Sequence, residues 1–306
     1  MLTPVRLAAL CLSAALISAC GSSSNHPPKL AASRHPVGLR AANGVPLPAT
    51  ATRIISLTDA STEDLFAVGA GKQVVAADEY STYPPNAPRT KLSGFAPNVE
   101  AIASYRPDLV VTSQSVDHIE SQLAALRIPL LYEPAPASLD GAFAQIEQLG
   151  HASGHAVQAA ALVAELRRRV RAIVASVKKE NPPLTVYHEL DQTYYSASSR
   201  SFIGQLYALL GLKNIADAAA KASVYPQLSA EYIIASRPDL IVLADTVCCG
   251  QTVKTVAARP GWASITAVKD HDVLAVDDTV ASEWGPRIVD FLADVATEVR
   301  KIEAQK

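Results

Sequence analysis

The chain has 306 residues, 49% of them hydrophobic and 18% charged, enough to bury a core and to form about two domains. Lys and Arg number 27 against 29 Asp and Glu, a formal net charge of −2, which excludes the bulk basic footprint of a nucleic-acid binder. Four cysteines are too few for a disulfide-built scaffold, and no apolar run reaches the ~20 residues of a spanning helix.

The start of the chain reads as a targeting segment. Arg6 supplies a positive charge, and residues 7–19 are an apolar run of the size found in signal peptides. Ile17-Ser18-Ala19-Cys20, followed by Gly21, is similar to a bacterial lipobox. In that class of signal the cysteine is acylated and becomes the new N-terminus. The expectation is a signal peptide over 1–19, a lipidated Cys20, and a protein held outside the cytoplasm on the cell membrane. An ordinary secretory signal containing a cysteine is the alternative. Residues 20–52 are rich in Ser, Ala and Pro without an apolar period, the composition of a flexible tether.

From Arg53 the pattern is α/β. Arg53-Ile54-Ile55-Ser56-Leu57 is a buried-strand run, 62–68 a helix ended by Gly69 and Gly71, and 74–77 a second strand. A short helix at 99–104 is stopped by Pro107, and strands at 109–112 and 130–132 flank a helix over 119–126. Apolar strands alternating with helices predict mostly parallel sheets covered on both faces.

The same text then recurs. Arg106-Pro107-Asp108-Leu109-Val110-Val111 returns as Arg237-Pro238-Asp239-Leu240-Ile241-Val242, and Glu100 and Ile54 map onto Glu231 and Thr185 at the same offset. Leu65 and Lys72 match Leu206 and Lys213 at an offset about ten residues larger, an insertion after the copy's first strand. Several matches in one order predict a duplicated lobe. Between the copies, Val157, Leu162, Val163, Leu166, Val170 and Val174 mark the apolar stripe of a long helix from about 154 to 179, ended by Asn181-Pro182-Pro183. The predicted fold is α/β: two three-layer α/β lobes (53–150 and 183–306) with mostly parallel sheets, joined by one long helix within 151–182.

Two such lobes behind a lipobox resemble the binding-protein family that serves ATP-driven importers of iron-siderophores, haem and cobalamin. The best-matching residues are Arg53 to Leu57, Tyr83-Pro84-Pro85, Pro97-Asn98-Val99-Glu100 leading into Arg106-Pro107-Asp108, and Leu228-Ser229-Ala230-Glu231 leading into Arg237-Pro238-Asp239. Cobalamin-binding members look closest, through Tyr225-Pro226 and Trp284-Gly285-Pro286-Arg287. The resemblance implies a monomer that takes a metal chelate (cobalamin, ferric siderophore or haem) in its cleft. It also implies that Glu100 and Glu231, one on each lobe, dock onto arginines of a two-fold symmetric ABC permease driven by its ATPase. Carboxylates also suit any helix N-terminus.

In open α/β sheets ligands bind beyond the carboxyl ends of the strands. Only 6% of the residues are aromatic, yet the loops expected there hold Tyr80, Tyr83, Tyr194, Tyr195, Tyr225 and Trp284, with Phe95 close by. Flat apolar faces with polar edges suit a large planar chelate, although packed core is the alternative for each. Arg287, and secondarily Arg200, are candidates to meet an anionic ligand edge. Cys248-Cys249 follows a strand and should face the cleft; a redox pair, a thiolate ligand and a tight turn all remain open. His151 and His155 could share a helix face but have no acidic or Cys partner at zinc-like spacing, so direct Zn or Mn binding is the alternative function. The sequence has no Gly-x-Ser-x-Gly elbow, Walker loop or zincin pair, so neither an enzyme nor a cofactor is expected.

Overall fold

The structure is a computed structural model and describes residues 39–306; the predicted signal peptide, Cys20 and the tether up to residue 38 lie outside the described residues. The first lobe is built on a four-stranded parallel sheet of β1 (Ile54–Ser56), β2 (Val74–Ala77), β3 (Leu109–Thr112) and β4 (Leu130–Tyr132), in the order β2-β1-β3-β4. Its helices are α1 (Asp59–Ala67), α2 (Val99–Ser104), α3 (Ile119–Ala125) and α4 (Leu139–Ser153). The connector α5 spans Ala156–Ala175. The second lobe repeats the plan with β5 (Thr185–Glu189), α6 (Phe202–Leu209), β6 (Lys213–Asn214), α7 (Ala230–Ser236), β7 (Leu240–Leu243), α8 (Val253–Ala257), α9 (Thr266–Lys269), β8 (Val273–Ala275), α10 (Asp278–Ala281) and α11 (Ile288–Gln305). Its sheet is again parallel, in the order β6-β5-β7-β8. The identical strand order is what a duplicated lobe requires.

The repeated Arg-Pro-Asp motif has a structural cause. Arg106 and Arg237 both take left-handed backbone, at φ 49° and 46°. Each turns the chain so that the following carboxylate clasps the start of the first strand of its own lobe. Asp108 accepts from the Thr52 and Arg53 amides at 2.8 and 2.9 Å, and Asp239 from the Thr185 amide at 2.8 Å. These clasps sit at the amino ends of the strands, opposite the cleft.

Alternation along the strands divides the core. Ile54, Leu109, Val111 and Leu131 face one way, while Ile55, Val110 and Leu130 enter a separate cluster with Ile102, Ile119 and Leu123 of α2 and α3. In the second sheet Val186, Leu240 and Val242 oppose Tyr187, Ile241 and Leu243 in the same way. The inner faces of both sheets then join one continuous cluster, completed by Ile146 and Leu149 of α4, Val163 and Leu166 of α5, Leu206 of α6, and Phe291 and Leu292 of α11.

The connector is shorter than predicted at both ends. Residues 151–153 finish α4, a helix for which the sequence reading had no element. Gly154, at φ +79°, ends it in the left-handed conformation that glycine tolerates best. At ~1.5 Å per residue α5 spans about 30 Å. Residues 39–52, read from composition as tether, are packed chain. The Ala42 amide donates to Leu130 O at 2.7 Å and Ala51 to Ala152 O at 2.8 Å, the Asn43 side chain donates to Ile128 O at 2.8 Å, and Leu39 and Leu47 touch the shared core. This segment covers β4, an edge strand that would otherwise expose unpaired backbone groups. Helix α1 begins at Asp59, earlier than predicted, with an acid favourable in its first turn.

A core common to both lobes implies that they unfold together. Leu166→Ala, at a 2% exposed position of the connector, should lower stability by about 2–4 kcal/mol and leave one cooperative transition in a denaturant titration. Two separated transitions would contradict a shared core.

Candidate functional site

The strands of the first lobe point their carboxyl ends at a cavity of about 480 Å³, within the range of small-molecule sites. It lies where the strand order reverses between β1 and β3, the usual crevice of such sheets. Leu57, Thr58 and Asp59 follow β1, Asp78 and Tyr80 follow β2, and Ser113 and Gln114 follow β3; Gly94 and Phe95 complete this wall. The opposite wall is Glu283 and Trp284, from the segment between α10 and α11 of the second lobe. The cavity is therefore shared between the lobes.

Of the sequence-predicted residues, Tyr80, Phe95 and Trp284 meet here. Phe95 and Tyr80 stand edge to face with centroids 5.6 Å apart, yet are 64% and 52% exposed. Apolar rings left in water beside a cavity are candidates to cover a ligand. Tyr195 and Tyr225 are also exposed. They lie on neighbouring segments, joined by the Ser196 amide to Pro226 O at 2.9 Å and the Leu228 amide to Tyr194 O at 3.0 Å.

The remaining candidates are engaged elsewhere. Tyr194 stacks on Trp262 at 5.8 Å and belongs to the second lobe's packing. Arg287, expected to meet a ligand anion, instead donates through its amide and Nε to Glu63 of α1 at 2.8 and 2.7 Å. Its guanidinium lies 3.9 Å from the ring centre of Tyr83. This is an inter-lobe contact, and Gly285 is needed beside it: a Cβ there would come within 2.8 Å of the Glu63 carboxyl carbon. Arg200 donates to the backbone carbonyl of Ala220. Cys248 and Cys249 are joined as an adjacent disulfide on the exposed loop after β7, where the Val247 and Cys248 amides donate to Asp278 at 3.0 and 2.6 Å.

Glu100 and Glu231 occupy equivalent places. Each is exposed in the first turn of its helix, behind an N-cap, Asn98 or Ser229, whose side chain accepts an amide three residues on. Because α2 and α7 each lead into a parallel strand, their amino ends lie on the same side as the cleft.

Sequence reasoning missed the acids. Asp59, Asp78 and Glu283 line the cavity, and no Lys or Arg does. Burial pushes the Glu283 carboxyl up to about 10, helped by the charge of Asp59, a hydrogen bond to it, and the charges of Glu63 and Asp78. Burial raises Asp78 to about 6, against the opposing hydrogen bonds from Ser81, and Glu133 to about 8. On the second lobe, buried Glu189 holds Arg259 by two bonds of 2.6 and 2.7 Å. Arg259 also lies over Trp262 at 4.5 Å. Beside them burial, followed by the Glu189 charge, lifts Asp245 to about 7. A second hollow, of about 460 Å³, lies between α4, α5 and α6; there Arg167 pairs with Asp140, and the Gln205 amide donates to Ala137 O. Among the described residues no three His, Cys, Asp or Glu side chains are arranged to hold a metal ion.

A folded-state pKa raised above the ordinary 4.5 means that Glu283 favours folding fully below that value, and that the benefit fades as pH climbs towards about 10. Glu283→Gln removes this penalty and keeps a donor for Asp59. The variant should melt a few degrees higher than the parent at pH 8 and nearly level with it at pH 5. An equal difference at both pH values would show that the carboxyl titrates normally.

Three comparisons bear on this arrangement. A chain 29% identical over 307 residues, covering 95% of both proteins, is the ABC transporter substrate-binding lipoprotein YvrC of Bacillus subtilis. A cobalamin-binding protein of Halobacterium salinarum is 32% identical over 255 residues, 80% of this chain and 68% of that one. Among solved structures, the periplasmic heme-binding protein RhuT of Roseiflexus, in apo form, superposes with a TM-score of 0.70 at 26% identity, covering 82% of this chain and 98% of that one. The periplasmic binding protein family profile matches residues 54–280, so two like lobes facing each other across a strand-end cavity are those of its fold, and the chain belongs to that family.

Proposed function

We propose that this protein captures a metal chelate between its lobes and delivers it to an ABC importer, with cobalamin the favoured ligand over a ferric siderophore or haem. The observation that carries the reading is the cavity shared by the lobes and walled by Tyr80, Phe95 and Trp284. The relative named for cobalamin supports the ligand class. A chelate larger than the cavity would extend over the exposed rings of Tyr195 and Tyr225. In this reading the protein acts as a monomer, anchored through an acylated Cys20.

Delivery falls to Glu100 and Glu231. Two exposed carboxylates at equivalent places on duplicated lobes suit a two-fold symmetric permease, where charge-assisted forks to arginine give orientation as well as affinity.

Two measurements test this. A ligand that binds only the folded state adds about 2.7 kcal/mol at 100 times its dissociation constant, a melting shift of roughly 5–10 °C for a body of this size. Cobalamin, cobinamide, haem and ferric siderophores should be ranked in that way. Trp284→Ala should weaken the best of them by about 1–3 kcal/mol. A shift with free Zn²⁺ or Mn²⁺ and none with any chelate would replace this reading with direct metal-ion binding. In an uptake assay, Glu100→Arg combined with Glu231→Arg should abolish import while ligand affinity stays within a few-fold; normal import by the double variant would remove the docking role.

A further inference from the structure

The charged side chains of the inter-lobe cavity are all acids, Asp59 and Asp78 on one wall and Glu283 on the other. They are only partly satisfied by the protein. Asp78 accepts from the Ser81 hydroxyl and amide at 2.6 and 3.0 Å, and Asp59 Oδ1 accepts from the Ala60 amide at 3.0 Å. Glu283 Oε2 is buried with no hydrogen-bond partner. The arginines that could reverse the sign are held elsewhere: Arg287 by Glu63 and Tyr83, Arg259 by Glu189 and Trp262.

Resting on the chelate-binding reading above, we infer that the cleft selects by rim chemistry: it takes chelates edged with amide or ammonium N–H donors and rejects those edged with carboxylates. A carboxylate brought among these acids meets the negative charges of Asp59 and Asp78 against low-dielectric protein walls, where repulsion is less screened than in bulk water. It also offers no hydrogen to an oxygen that lacks a partner. An amide or ammonium N–H supplies that hydrogen, and a buried acceptor left unpaired is costly. The aromatic rings hold the flat body of the ligand whatever its charge. Rim charge is thus discriminated separately from size and shape.

Matched pairs of ligands isolate that term. The purified protein is titrated with cobalamin and its derivative having one peripheral amide hydrolysed to the acid. The same is done with haem bis-amide and haem, and with a ferric trihydroxamate bearing a terminal ammonium and the same chelate succinylated there. Within whichever pair binds, the amide or ammonium member should bind at least about ten-fold tighter. Asp59→Asn, alone and together with Asp78→Asn, should bring the ratio towards one. The single variant, which leaves the Asp78–Ser81 bonds in place, serves as the reading if the double variant melts early. The pair that binds identifies the source of the N–H donors. A ratio near one, a preference for the carboxylate, or a ratio unchanged by Asp59→Asn would overturn the charge rule while leaving chelate capture standing. Absence of binding by every member would overturn chelate capture itself, and the charge rule with it.

Discussion

Both sheets bury their inner faces against the same helices, and that shared core determines where the cleft walls stand. Helices α4, α5, α6 and α11 carry Leu149, Leu166, Leu206 and Phe291 into one cluster with Ile54 of the first sheet and Val186 of the second. Independent hinging of the lobes would pull this cluster apart and expose apolar surface, at about 25 cal/mol per Å². The Glu63–Arg287 pair adds a polar tie across the interface. Half-buried on one side and buried on the other, it would leave an unpaired carboxylate if it opened. The cleft is therefore largely preformed, which limits the ordering penalty of binding and suits a rigid, planar ligand better than one that must be enfolded.

The same close packing shapes the electrostatics. An arginine near a buried glutamate is held by it, so Arg287 and Arg259 neutralise structural acids. Asp59, Asp78 and Glu283 are left facing the cavity with no such partner. Burial, helped by the neighbouring negative charges, drives protons onto Glu283 and Asp78, which is why these two titrate high. The wall they form is a hydrogen-bonding surface of mixed protonation, set between aromatic rings.

What sequence could reveal followed from local regularity. The recurrent Arg-Pro-Asp text marked the duplication because it clasps each lobe's first strand through a backbone turn, a local requirement that both copies kept. The apolar runs of β1, β3 and β7, each set between helices, told of sheets covered on both faces for the same reason. Helix α4 escaped because Gly141 and Gly150 interrupt its pattern. The packing of residues 39–52 depends on Asn43 and Leu47 finding a distant edge strand, which composition does not report. Aromatic residues in strand-end loops pointed to Tyr80, Phe95 and Trp284, which line the cavity. The same signal could not tell that Tyr194 stacks on Trp262, or that Arg287 reaches Glu63 across most of the sequence. Glu283 was hidden next to Trp284, since nothing local distinguishes a surface glutamate from one pressed against Asp59.

The duplication left two lobes alike in topology and unlike in chemistry, and the difference lies at the strand ends. The extra residues after β5 allow 190–198 to run beside 224–228, an added ribbon that lifts Tyr195 and Tyr225 outward. The equivalent turn after β1 is short and runs directly into α1, placing Asp59 at the cavity and Glu63 at the contact with Arg287 of the second lobe. The first copy thus came to supply Asp59 and Asp78 with Tyr80 and Phe95, and the second Glu283 with Trp284, while Glu100 and Glu231 stayed matched at the amino ends of α2 and α7. Divergence is greatest in the strand-end loops that wall the cavity. Equivalence persists in the first turns of α2 and α7, where an N-cap side chain holds each helix start in the same way.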